Sequence, residues 1–336
     1  MKNIILVTDK KAGHENISKG IIDEIGKYKD INIIEIEATL YFSGLKNILK
    51  FFINKSKFWY KKLWFIKLFY RDVNIPNIDK EYALIISTGG TTSFLNIMLS
   101  RYFDCANIYC SSLRGLNNSH FTHIVSIENH NFSNEIVLEL APVNFTYNQK
   151  AIQEFKDKNQ IDGSVISFLI GGRTKYYKFS TDEIVNITKE LIFLAKRYDK
   201  KILITTSRRS SLDIEKQLKI ISKVERDIVK KCICFNTKPE KVMSILLYLS
   251  EVVFVTEDSG SMISEAILSQ KKVYTITSEI TNIKGIYKNF IEKLKDNKRV
   301  ISIKKDEIKD INFDEDIKPI ENLPSYIVYK KIEYLL

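Results

Sequence analysis

Residues 252–276 read VVFVTEDSGSMISEAILSQKKVYTI, and the order of side-chain types along them decides the fold. Val252, Val253, Phe254 and Val255 form a short continuous apolar run, the pattern of a strand buried on both faces of a parallel sheet. Thr256-Glu257-Asp258-Ser259-Gly260-Ser261 interrupts the run with acids, hydroxyls and one glycine. Met262, Ile263, Ala266 and Ile267 then recur at helical spacing, and Lys271-Lys272 lead into a second apolar run, Val273–Ile276. A loop of small polar residues that opens a helix at the C-terminal edge of a parallel sheet is suited to a phosphate. Free N–H groups and the positive end of the helix dipole both point at that spot. Glu265 lies about two turns into the helix, where a carboxylate accepts two hydrogen bonds from a ribose diol while the loop holds a diphosphate. On the loop alone another reading stays open, with Asp258 or Ser259 as an N-cap and Glu265 as a solvated helix residue.

Moving outward, the same grammar fills the C-terminal half. Ser164–Ile170 predicts a strand followed by Gly171-Gly172-Arg173-Thr174-Lys175-Tyr176 and a helix over about 181–198. Lys201–Thr205 predicts another strand, ending in Thr206-Ser207-Arg208-Arg209-Ser210-Ser211, and Lys231–Phe235 a further one. In a doubly wound sheet these strand ends share one edge, so the three loops converge. Arginines there neutralise a diphosphate leaving group, while serines and backbone N–H groups hold its oxygens.

The N-terminal half opens on Asn3–Thr8 as a strand, then Asp9-Lys10-Lys11-Ala12-Gly13-His14-Glu15-Asn16 and a helix over about 17–28. His14 is one of four histidines, and its near-neutral pKa in that loop suits a general base. A surface histidine near a helix N-cap is the plainer alternative. Glu81–Ser87 predicts a strand that runs into Thr88-Gly89-Gly90-Thr91-Thr92-Ser93, again a glycine-and-hydroxyl loop before a helix. Strands at 106–110, 122–127 and 135–140 complete a first domain of residues 1–150, and the polar segment 148–162 reads as a linker. His120, His123 and His130 cluster loosely but without metal-ligand spacing.

At 336 residues with 44% hydrophobic content, the chain suits two globular domains. No apolar run reaches the ~18 residues that cross a bilayer. The opening MKNIILVTDKK is too short in its apolar part for a signal peptide. Cys105, Cys110, Cys232 and Cys234 lack CxxC spacing and read as reduced core thiols of a cytoplasmic protein. The net charge is +11, and residues 46–72 hold seven of those charges, with eight Lys and Arg against the single acid Asp72. Nine aromatics are interleaved, including both tryptophans. Such a stretch suits the interface of an anionic membrane, with Trp59, Trp64 and Phe65 at headgroup depth and Lys61 and Lys62 on phosphates. Nucleic acid is the other partner that this charge allows, but no nucleic-acid-binding motif accompanies it. An ordinary amphipathic helix with core aromatics is also open.

Several of these stretches carry a resemblance. Asp9-Lys10-Lys11-Ala12-Gly13-His14-Glu15-Asn16, Gly171-Gly172, Thr206-Ser207-Arg208-Arg209 and the run Val255–Ala266 resemble the mitochondrial fission ELM-type family. The bacterial members of that family are assigned as GT-B-type glycosyltransferases. The family's Asp-Pro-Arg step is replaced here by Ser111-Ser112-Leu113-Arg114. The resemblance implies an α/β chain of two Rossmann-like domains facing across a cleft. Nucleotide-sugar would sit in a C-terminal domain over 160–320 and the acceptor in the N-terminal one. A terminal helix over 321–336 would cross back.

On this reading Gly172, Arg173, Ser207, Arg208, Asp258, Ser259, Gly260 and Ser261 hold the donor phosphates. Glu257 lies near the phosphates or sugar, and Glu265 on the ribose. His14 or Glu15 would face the acceptor hydroxyl, with Gly13, Gly89, Gly90 and Thr91 on the acceptor side. No metal and no cofactor beyond the donor substrate is expected, and Asp314-x-Asp316 falls in a late charged segment. The expected activity is transfer of a sugar to a cell-surface glycan or lipid-linked saccharide, peripheral on the inner membrane. A membrane adaptor and a nucleotide-sugar epimerase are the alternatives.

Overall fold

The computed structural model describes residues 1–42, 44–55, 62–76, 81–143 and 147–336. The chain divides into two compact units, Met1–Asn144 with Asn322–Leu336, and Phe145–Glu321. Both are Rossmann-like, with one parallel sheet covered by helices.

The first unit begins with β1 (Lys2–Thr8), α1 (Ala12–Gly26), β2 (Ile31–Glu37) and β3 (Thr39–Leu40). It continues through α2 (Leu45–Lys55), α3 (Leu63–Phe69), β4 (Tyr70–Arg71), β5 (Leu84–Thr88) and α4 (Thr92–Phe103). It ends its sheet with β6 (Ala106–Cys110), β7 (His123–Ser126) and β8 (Glu135–Val137). The sheet runs β2-β1-β5-β6-β7-β8, with every pair parallel. Because successive strand residues face opposite ways, β1 feeds two cores. Ile5 and Val7 pack towards α2, α3 and α4 with Leu49, Phe65 and Leu95. Ile4 and Leu6 pack the other way, against Ile21 and Ile25 of α1. Val328 and Tyr329 of the terminal helix join that second core.

The second unit carries α5 (Gln149–Lys158), β9 (Ser164–Leu169), α6 (Thr181–Arg197), β10 (Lys200–Thr205), α7 (Leu212–Val224) and β11 (Val229–Ile233). It then carries α8 (Met243–Leu249), β12 (Val252–Thr256), α9 (Gly260–Leu268), β13 (Lys272–Ile276), α10 (Gly285–Asp296) and β14 (Ile301–Ile303). The order β11-β10-β9-β12-β13-β14 is again all parallel, with the direction of winding reversing between β9 and β12. α6 starts on a capping box, Ser180 accepting from Glu183 N at 3.0 Å while the Glu183 carboxylate takes Ser180 N.

The segment read as a linker holds α5 instead. Asn148 caps it by accepting from Ala151 N, and Ile152 and Phe155 are buried. Only those two side chains face inward, too few to show as a periodic apolar pattern among so many charges. The terminal helix, α11 (Pro324–Ile332), belongs to the first unit and lies on α1. There Tyr329 stacks on Tyr28 with ring centroids 4.5 Å apart. All four cysteines are free thiols. Among the described residues no helix is long and apolar enough to cross a membrane.

Candidate functional site

In open α/β sheets ligands lie at the C-terminal strand ends where the strand order reverses. In the first unit that point lies between β1 and β5, so two loops flank it. The loop after β1 carries Asp9, and His14 stands in the first turn of α1. The loop after β5 carries Gly89, Gly90 and Thr91. His14 Nδ1 lies 2.9 and 3.1 Å from the two carboxylate oxygens of Asp9. Burial pushes the Asp9 carboxyl up, but hydrogen bonds from Lys11 and His14 outweigh it and hold the group below its ordinary value. An ionised carboxylate only accepts, so Nδ1 carries a proton, and in the neutral ring that leaves Nε2 as the nitrogen with the lone pair. The ring is one-third exposed and seated against the loop after β5. A Cβ on Gly89 would overlap the imidazole, and Gly89 has φ +97°, so glycine is required there twice over. Asp9 is the residue that reading the sequence missed; a carboxylate five residues before a histidine was the only sign of it.

Glu15 has other work. Its carboxylate accepts from Thr8 Oγ1 at 3.0 Å and lies 3.8 Å from Lys10 Nζ, which ties the start of α1 to the end of β1. Gly13 is exposed with nothing close to it. Gly90 lies beneath the Arg114 side chain, and the Thr91 carbonyl accepts from Tyr70 OH at 3.0 Å.

In the second unit the three predicted loops come together at the β9/β12 reversal. Gly171 N donates to Thr256 Oγ1 at 2.8 Å, and Gly172 N to Asp258 Oδ2 at 2.7 Å. Arg173 N donates to the Arg209 carbonyl at 3.3 Å. The Arg209 guanidinium pairs with Asp258 Oδ2 at 3.1 Å. Both glycines are obligatory: a Cβ on Gly171 would overlap the Asp258 carboxylate, and one on Gly172, at φ +151°, would overlap the Arg209 backbone. Arg173 and Arg208 are exposed. Arg209, which the sequence reading did not single out, is the arginine held by the site's own carboxylate. Ser261 is exposed in the first turn of α9, and Glu265 is half-buried in the second.

Three expectations for this site are corrected. Glu257, expected near the phosphates or sugar, is 2% exposed and turned into the interior. Its carboxylate takes Tyr177 OH (3.2 Å), Thr275 Oγ1 (3.0 Å) and Ser302 Oγ (2.6 Å), so it cross-links strands, as a buried carboxylate must be satisfied. The Ser207 hydroxyl is spent within the protein, donating to the Gly171 carbonyl and accepting from Arg209 N. Ser259 is buried, whereas Gly260 is half-buried beside the rings of Tyr287 and Phe290 and stays with the exposed Ser261 at the start of α9.

Asp258 has a side chain with no exposure, and its Oδ1 is buried without a partner among the described residues. Burial raises its carboxyl to about 6, with Thr256, Arg209 and Gly172 pulling the other way. The folded value lies above the ordinary 3.8, so the folded chain binds this proton more tightly than the unfolded chain does. Stability contributed by this group therefore falls as pH rises from about 4 to about 6 and is level above that, a cost of roughly 3 kcal/mol at neutral pH. Asp258→Asn is expected to remove the dependence and to gain about 1–3 kcal/mol at pH 7. Urea unfolding of both proteins at pH 5 and pH 7 checks this, and parallel pH dependences would refute it.

The model of the family described as Mitochondrial fission ELM1 matches residues 12–319, nearly the whole chain. The chain belongs to that family. No curated protein matches it. Among solved structures, this family member is similar to the UDP-GlcNAc 2-epimerase of Methanocaldococcus jannaschii, at 13% identity and a TM-score of 0.58 over 99% of this chain and 100% of that one. The Neisseria meningitidis UDP-GlcNAc 2-epimerase bound to UDP-GlcNAc matches at 15% identity and 0.53, over 99% and 100%. The E. coli ADP-heptose lps heptosyltransferase II matches at 9% identity and 0.52, over 100% and 98%. At such identities the likeness is one of fold, and the fold is GT-B-type, with two Rossmann-like domains. Among the described residues His, Cys, Asp and Glu form no group of three placed to hold a metal ion.

Proposed function

We propose that the protein is a glycosyltransferase that moves a sugar from a nucleoside-diphosphate sugar to a hydroxyl of a glycan or lipid-linked saccharide. The observation that carries this reading is the Asp9–His14 pair at the strand reversal of the first unit. It is a candidate base whose Nδ1 proton is directed at Asp9 and whose ring is one-third exposed. In the reaction His14 Nε2 takes the proton of the acceptor hydroxyl. The acceptor oxygen bonds to the anomeric carbon, and the bond from that carbon to the diphosphate breaks. The departing diphosphate carries charge that the start of α9 and the arginines of the second unit, Arg209 with Arg173 and Arg208, would neutralise. Glu265 would take the ribose diol.

A second reading, an epimerase, is favoured by the fold-level likeness to the UDP-GlcNAc 2-epimerases. The two separate in one assay on a panel of UDP- and ADP-sugars, with and without saccharide acceptors. Release of nucleoside diphosphate that depends on the acceptor supports transfer. Conversion of the donor to an isomeric nucleotide-sugar without acceptor overturns it, and failure to bind any nucleotide would leave an adaptor. Calorimetric titration tests the donor half: Glu265→Gln is expected to weaken nucleotide binding by about 1–3 kcal/mol, the range for a charge-assisted hydrogen bond. Equal affinity in a folded variant would remove Glu265 from the site.

A further inference from the structure

Helices α2 and α3 are apolar on two faces, where one core needs only one. Leu45, Leu49 and Ile53 of α2, with Phe65, Ile66 and Phe69 of α3, are buried in the first unit's core. Phe65 is therefore core, not a membrane contact: it packs 4.9 Å from Phe69, ring to ring. The opposite faces expose Ile48, Phe51 and Phe52 on α2 and Trp64 and Leu68 on α3, with Phe51 at 62%, Trp64 at 54% and Leu68 at 59%. Phe52 and Trp64 sit edge-on to Phe65, so the outer layer rests on a fixed inner one. Lys55, Lys62, Lys67 and Arg71 are exposed around it, and neither helix contains an acid. Trp59 and Lys61 lie outside the described residues.

We propose that the outer face of α2 and α3 docks on an anionic lipid bilayer. The partner must offer negative charge and an apolar phase within a few ångströms of each other, which is what a headgroup–acyl boundary supplies. A nucleic acid answers the lysines but gives Leu68 and Ile48 nothing to enter. A second copy would bring the same positive patch against itself, since a twofold contact sets like surfaces together. The inner side of the helix pair is bonded to the acceptor-side loops. Asn54 donates to the Gly115 carbonyl at 2.8 Å and accepts from Asn117 N at 3.1 Å, and Tyr70 OH holds the Thr91 carbonyl. Arg114, in the first of these loops, covers Gly90. A docked helix pair thus presents its own acceptor loops to the membrane surface, which suits an acceptor carried on a lipid. That extension rests on the transferase reading; the docking does not.

The test uses the full chain with vesicles of phosphatidylcholine alone or with about 30% phosphatidylserine, and no nucleotide-sugar, so it stands or falls apart from the enzymatic reading. The protein should float with the anionic vesicles and much less with the neutral ones. Added salt should weaken this binding and leave a remainder. Replacing Lys55, Lys62 and Lys67 by Gln should lower partitioning about a hundredfold, from roughly 1 kcal/mol for each charge. Phe51→Ser with Trp64→Ser and Leu68→Ser should abolish the salt-resistant remainder. In a Trp59→Phe background, Trp64 emission should move to shorter wavelength and be quenched by brominated acyl chains. Indifference to lipid charge, an unmoved Trp64 spectrum, dimerisation that masks the patch, or an oligonucleotide that binds it more tightly than vesicles would each overturn the proposal.

Discussion

His14→Ala is expected to lower sugar turnover by roughly 10²–10⁴-fold, the usual share of a positioned general base, with donor affinity nearly unchanged. The expectation follows from a ring whose Nδ1 is bound to Asp9 and which is one-third exposed. Asp9→Asn should cause a loss of roughly 10²-fold or more, because an amide can present its N–H to Nδ1 and so select the wrong tautomer. Lys11 binds the same carboxylate at 2.7 Å, so Lys11→Ala reports whether charge on Asp9 matters apart from its contact with the ring. Glu15→Gln should have little effect, since its oxygen can still accept from Thr8. Steady-state kinetics with donor affinity measured separately decide the matter. Full activity in His14→Ala with none in Glu15→Gln would exchange their roles, and lost donor binding in both would put this loop on the phosphate.

Gly172→Ala is expected to destabilise the second unit by about 3 kcal/mol or more and to abolish donor binding. Two costs add at this position. The backbone angle of +151° is strained for any residue with a side chain, about 1–3 kcal/mol. The new methyl also meets the Arg209 main chain, which cannot swing away as a side-chain tip could, and overpacking of this kind costs about 1–3 kcal/mol more. Gly163 provides the control. Its φ is +74°, but nothing lies near its missing Cβ, so Gly163→Ala carries the backbone cost alone. Denaturant midpoints of the two variants isolate the contact between the loops after β9 and β10. Equal losses would mean that the loops part readily, and the proposed donor site would lose its rigid floor.

Much of the architecture was legible because sheet chemistry is local. A continuous apolar run such as Val252–Val255 suits a strand covered on both faces, and the polar loops after β1, β5, β9, β10 and β12, rich in charge, hydroxyls or glycine, mark the edge where ligands gather. α5 escaped notice for an equally physical reason: with only Ile152 and Phe155 facing inward, its ten residues look like solvated chain. Within the candidate site, residue types were legible and their directions were not. Glu257 and Asp258 are neighbours with the same charge. One is satisfied by three hydroxyls from strands and a loop distant in sequence; the other meets Gly172 and Arg209 through Oδ2 alone and leaves Oδ1 buried without a partner among the described residues.

The sequence by itself determined the alternation of strands and helices, the Gly-Gly and Ser-Arg-Arg loops, the histidine at the first loop, and the concentration of charge at 46–72. Those are properties of composition and spacing, and they survive any packing. The tertiary structure decided that Asp9 holds His14, that Arg209 rather than Arg208 meets Asp258, and that Phe65 turns inward while Trp64 turns out. Each of these depends on which strands become neighbours and on which face of an element meets the core. Neighbours in the sheet, such as β1 with β5 or β9 with β12, are separated by some eighty residues of chain, so no local pattern records their contacts.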